Sequence, residues 1–251
     1  MQNSATEKSH LNAPVKTIES ADVPMASERP TMTWEIVSAD TAISAHIRSH
    51  LRRVYITLGL MLLFAAGGVA FDFRYHLPWW VTCLVIPIPL FIAILCSPTE
   101  WMAFRMSCSM LLAASLGAGT GGLVKKAAAI DPILVAAAFG CTTLIFVIMS
   151  LCAYCSERRS AIFLSGFLMS ALLILAVLSI VNIFVKCKFL YLLGLYGGLL
   201  LFSIYVIVDT QLIVERAVWG ETDFVSHALE LFLDFFNIFI RILAILTNDD
   251  D

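Results

Sequence analysis

Two aspartates lie inside long apolar runs toward the C-terminal end: Asp209 in FLYLLGLYGGLLLFSIYVIVDTQLIVER and Asp234 in DFVSHALELFLDFFNIFIRILAIL. A carboxylate near a bilayer midplane costs about 3 kcal/mol on insertion scales, so such residues face an interior, partnered or water-lined site and mark ion or proton pathways. One aspartate stands near the end of its run and the other midway along the next. On helices rising about 1.5 Å per residue, joined by a short turn, they come to similar depth. Two carboxyls that meet cannot both ionise freely; they titrate as a unit, and a proton becomes a switch. Thr210 and Gln211 add side-chain oxygens beside Asp209. Calcium takes roughly six to eight oxygens. Two aspartates cannot build that cage, so any contact with Ca²⁺ is transient and water-assisted, which suits permeation more than storage.

A second constellation lies on the last run. His227, Glu230, Asp234 and Arg241 are offset by three, seven and fourteen residues and so share one face of a helix. A polar stripe on an otherwise apolar helix is expected to face a bundle interior. The alternatives are a self-neutralised stripe with no transport role, or a face exposed at the membrane interface.

The elements that must position these residues follow from composition. Of 251 residues, 60% are hydrophobic and 14% charged, and the mean hydropathy is +0.89. A soluble domain is closer to about one half apolar, so the expected fold is an all-α polytopic transmembrane bundle whose solvent is the lipid bilayer. The net charge of -3 is small and carried mostly by ends and loops, which implies no nucleic-acid partner. Seven cysteines, an odd number mostly within apolar runs, give no disulfide framework. Cys152-x-x-Cys155 lacks the second ligand pair of a metal site. No cofactor is expected.

Residues 1–33 read as a disordered polar tail without the apolar core of a leader peptide. Residues 34–53 read as an amphipathic juxtamembrane helix, 54–247 as the bundle and 248–251 as a short acidic tail. Apolar runs predict seven spans at about 54–71, 78–96, 103–124, 132–154, 161–185, 189–213 and 224–246. The last, broken by Glu230, Asp234 and Arg241, suits a central or re-entrant position. Pro87 and Pro89 should bend the second span. The glycines of LGAGTGG in the third, and Gly194 and Gly198 in the sixth, suit close helix contact. Basic residues near span ends number seven on the N-terminal side and six on the other, so the positive-inside rule only weakly favours a cytosolic N-terminus.

Asp209-Thr210-Gln211 after one apolar span, HALELFLDF in the next, HLRRVY at His50 to Tyr55, FLSGFLMSALLILAVLS at Phe163 to Ser179 and Asn182-Ile183-Phe184 together resemble the Bax inhibitor-1 (TMBIM) family, from about residue 45 onward. The resemblance implies a pH-sensitive calcium leak channel of an intracellular membrane, the endoplasmic reticulum. Such a channel restrains apoptosis by lowering the releasable calcium store. Asp209 and Asp234 match the family's pH-sensing pair, calcium ions are the permeant species, and Bcl-2-type or other membrane proteins are the implied partners. Bacterial members carry a latch arginine around the second span, and Arg105 is the arginine nearest that place here. Animal relatives often end in a lysine-rich tail, whereas this chain ends Asn248-Asp249-Asp250-Asp251.

Two other functions compete. A non-conducting adaptor would regulate cell death through protein contacts, with the aspartates merely structural. An intramembrane aspartyl protease would use two carboxyls sharing a proton to activate water. Asp209 follows Val208 and Asp234 follows Leu233, without the Tyr-Asp and Gly-x-Gly-Asp contexts of those proteases, so no enzyme is expected.

Overall fold

Apolar runs of this length become helices because lipid offers no partner to a backbone N–H or C=O, and a helix satisfies both within itself. The computed structural model describes residues 34–76, 78, 80–155, 160–221 and 223–248. Among them are seven α-helices: α1 (Trp34–Tyr75), α2 (Pro87–Cys96), α3 (Met102–Ile130), α4 (Pro132–Cys155), α5 (Ser160–Val185), α6 (Lys188–Val218) and α7 (Phe224–Asn248). Five hold segments long and apolar enough to cross a membrane: Ile47–Tyr75, Met102–Ile130, Pro132–Ala153, Leu164–Val185 and Lys188–Val218. The tail at 1–33 and the aspartates at 249–251 lie outside the described residues. The bundle is the unit Ala42–Asp251; the unit before it, Met1–Thr41, contributes the described start of α1. The helix expected over 34–53 and the span expected from 54 are one continuous helix.

The second span is a short apolar helix, Val81–Cys96, whose geometry changes ahead of its prolines. A π-helical turn, Val81–Val85, precedes α2, and the Ile86 N–H reaches back five residues to the Val81 carbonyl at 3.0 Å. Pro87 then opens α2 at a position where no backbone donor is needed.

Helix α7 is the hub. It packs on α3, α4 and α6, while α6 also lies against α4 and α5. Thirteen of its residues are buried. Phe232, Leu231, Ile238 and Leu243 on α7 join one core with Val54 and Met61 of α1, Leu112 of α3, Phe146 of α4 and Val206 and Ile213 of α6. A helix carrying this much charge belongs where protein, not lipid, surrounds it.

The glycines of the third span make one such contact possible. A Cβ on Gly117 would run into the Ala65 backbone, and one on Gly68 into the Ala114 carbonyl, so α1 and α3 cross backbone to backbone. One end of that crossing is tied by Lys125, whose Nζ donates to Asp72 Oδ2 at 2.8 Å and to the Asp72 carbonyl at 2.9 Å. At the turn after α6, Gly220 has φ +87°. Its N–H donates to the Ala217 carbonyl at 3.2 Å, and the Glu221 N–H donates to that of Arg216 at 3.0 Å, which closes the helix and sends the chain into α7.

Candidate functional site: a carboxyl pair between α6 and α7

Asp209 stands nine residues before the end of α6, and Asp234 stands ten after the start of α7. At about 1.5 Å per residue, both lie roughly 13 to 15 Å from the tight turn that joins the two antiparallel helices. Their carboxyls come within hydrogen-bonding reach of each other. Asp209 is half-buried and Asp234 only 4% exposed. As two carboxylates, neither has a hydrogen to donate, and Asp234 Oδ2 is buried without a donor. A single proton held between them would supply a hydrogen bond across the pair. Among the described residues neither aspartate belongs to an ion pair.

The neighbouring polar residues have partners of their own. Arg216, near the end of α6, donates from Nη1 to Glu230 Oε1 at 3.3 Å and lies 4.0 Å from Glu221. His227, 1% exposed, faces His50 of α1, with Nδ1 and Nε2 3.0 Å apart. Arg241 donates to the Asn237 carbonyl at 3.1 Å and to Asn237 Oδ1 at 2.9 Å, and its guanidinium carbon lies 4.6 Å from the Phe202 ring centroid. The stripe of α7 does share a face, but it is not self-neutralised: its four members meet α1 and α6.

Thr210 and Gln211 do not gather round Asp209. Consecutive helical residues point about 100° apart, and Gln211 Nε2 instead donates to the Ala153 carbonyl of α4 at 3.4 Å. Thr210 Oγ1 is buried without a hydrogen-bond partner. Among the described residues no three His, Cys, Asp or Glu side chains cluster as a metal site.

Arg105 stands apart from the carboxyl pair. Its Nη2 lies 2.8 Å from Asp223 Oδ2 and donates to Ser226 Oγ at 2.7 Å, so it ties the start of α3 to the turn between α6 and α7. Burial pushes the pKa of Asp223 up, but hydrogen bonds from Arg105 and Ser226 outweigh it and hold the carboxyl below the usual range. Asp223 also caps α7 by accepting from the Ser226 N–H at 3.3 Å. Sequence reasoning missed Asp223, Arg216 and His50 as partners of these residues. Asp223 carried a signal, since an aspartate immediately before the first residue of an apolar run is a helix-start pattern; nothing local marks the long-range partners.

Membrane-length helices closing round a charged, buried last helix define a multi-pass membrane protein. The chain belongs to the Bax inhibitor-1 family: the family model described as "Inhibitor of apoptosis-promoting Bax1" matches residues 47–251. It is 36% identical over 208 residues to Bax inhibitor 1 of Arabidopsis thaliana, covering 82% of this chain and 84% of that protein. It is 33% identical over 213 residues to the Rattus norvegicus protein of that name, covering 83% and 90%, and 31% identical over 211 residues to the Homo sapiens one, covering 83% and 89%.

Proposed function

We propose that this chain is an anti-apoptotic calcium leak channel of the endoplasmic reticulum membrane, opened by protonation of the Asp209 and Asp234 pair. The observation that carries the reading is the buried Asp234 oxygen, which has no donor unless the pair holds a proton. With one proton shared, a charge-assisted hydrogen bond ties α6 to α7. A second proton turns that bond into a weaker neutral one and loosens the tie, so acidification favours separation of the helices. Calcium then meets transient, partly hydrated carboxyl oxygens rather than a fixed cage.

The test is Ca²⁺ efflux from proteoliposomes stepped between neutral and mildly acidic pH. Wild type should pass calcium with a rate that depends on pH, and Asp209→Asn and Asp234→Asn should each abolish that dependence. A folded wild-type protein that passes no calcium at any pH would sink the channel reading. The outcome would then favour a non-conducting adaptor that binds Bcl-2-type or other membrane proteins. One observation supports the adaptor: α5 packs on α6 but fully buries few of its apolar residues, which leaves a surface that another membrane helix could cover.

A further inference from the structure

Arg241 is a cation with only neutral partners. Its Nη1 is held by Asn237, its guanidinium lies over Phe202, and its Nε is buried with no hydrogen-bond acceptor. Gly198 makes the room: a Cβ there would strike the guanidinium. Among the described residues no carboxylate pairs with Arg241. A partly buried guanidinium without an anion is costly, and planar forked donors match the oxygens of phosphate.

The same side chain forms part of the wall of a pocket of about 400 Å³ between α5, α6 and α7. Two further wall residues have donors to offer. Asn182 commits its side-chain oxygen to the Cys187 N–H at 2.9 Å, which leaves its amide NH₂ to donate. Tyr191 Oη accepts from Asn248 Nδ2 at 3.0 Å, so its own hydrogen is available. Ser179 gives its hydrogen to the Leu175 carbonyl. The pocket thus offers several donors and a positive charge against an otherwise largely apolar wall.

Depth identifies the setting. Asn182 lies three residues before the end of α5, Tyr191 three after the start of α6 and Arg241 seven before the end of α7. All three are within about 10 Å of the helix ends, where headgroups meet the hydrocarbon. Lys186 and Lys188 are exposed at the same end. We propose that Arg241, Asn182 and Tyr191 form a binding site for a phosphate group, presented by an anionic phospholipid or as the free ion.

The test uses the full-length protein in a neutral detergent. Thermal unfolding is titrated with dihexanoyl-phosphatidylglycerol, dihexanoyl-phosphatidylcholine and inorganic phosphate, and co-purified lipid is read by native mass spectrometry. Phosphatidylglycerol should bind at least about tenfold more tightly than phosphatidylcholine, because the guanidinium answers net negative charge. Arg241→Gln should weaken that binding by about tenfold or more. Gly194→Leu should do the same by filling the pocket, since Gly194 lies in its wall and a Cβ there meets nothing within 4 Å. Protection by phosphatidylglycerol alone assigns the site to a lipid headgroup, and equal protection by inorganic phosphate assigns it to the free ion; either supports the site. Absence of binding by every probe overturns it. So does wild-type binding in Gly194→Leu, including the case where Arg241→Gln fails to assemble.

Discussion

Removing the Arg105 guanidinium should loosen the turn that sets the register of α6 and α7. Arg105 and Asp223 are only 7% and 13% exposed in their side chains and meet at 2.8 Å. Two unit charges about 4 Å apart, centre to centre, attract by about 4 kcal/mol at an effective dielectric constant of about 20. Breaking a buried pair from one side costs about 3 to 5 kcal/mol. Asp223 sits at a turn, however, and keeps its bond from the Ser226 N–H. Water can therefore reach part of the orphaned carboxylate, and Arg105→Met is expected to cost about 2 to 4 kcal/mol. Asp223→Asn keeps a neutral oxygen for both Arg105 and the helix cap, so it should cost less, about 1 to 2 kcal/mol. A double-mutant cycle on detergent-solubilised protein, read by equilibrium unfolding, should give a coupling of about 2 kcal/mol. The pH response checks the sign. A carboxyl held below its unfolded value of 3.8 contributes stability that is complete above that value and disappears as pH falls through the lower, folded one. The coupling should therefore be flat from pH 8 to about pH 5 and fall only in stronger acid. A coupling below about 0.5 kcal/mol would refute the clamp, and one that changes between pH 8 and 5 would refute the assignment of its pH response to Asp223.

Two further substitutions test the packing. Gly198→Ala should destabilise by about 1 kcal/mol, since the new methyl meets the Arg241 guanidinium and must displace this movable end of a long side chain from Asn237 and Phe202, while Gly194→Ala, four residues earlier in open space, should be neutral or slightly stabilising through helix propensity. Equal unfolding midpoints for the two would remove the role given to Gly198. Lys125→Met takes the cation from Asp72, whose side chain is only 7% exposed, and should cost about 2 kcal/mol. Lys125→Arg should restore most of that loss in the same unfolding measurement, and a null effect of Lys125→Met would show that Asp72 is held by its other contacts.

Hydropathy made most of the helices legible because a bilayer imposes a length and forbids unpaired backbone, both of which are written along the chain. It blurred where the rule is indirect. Pro87 was visible, but the π-helical turn before it was not, because that turn depends on what satisfies the backbone ahead of the proline, here the Val81 to Ile86 hydrogen bond. Gly194 and Gly198 looked alike by spacing, yet only Gly198 faces a side chain, because Arg241 arrives from a helix more than forty residues away. Thr210 and Gln211 are adjacent to Asp209 in sequence and point elsewhere, since adjacency on a helix separates side chains by about 100°.

The depth of Asp209 and Asp234 was readable from their distances to the turn; the partners of the residues around them were not, and those partners decide the chemistry. Glu230 has Arg216, Asp223 has Arg105, Asp72 has Lys125 and His227 has His50. Each is a contact between helices far apart in sequence or across a turn. Once these are assigned, the carboxyl pair stands out by what surrounds it: among the described residues no lysine or arginine forms an ion pair with either aspartate, and one Asp234 oxygen has no donor. A pair of acids left without a cation inside an apolar bundle must be compensated by something that can enter from water. A proton is the smallest such charge, and in the proposed channel its uptake by these two carboxyls would make opening depend on pH without a separate sensor.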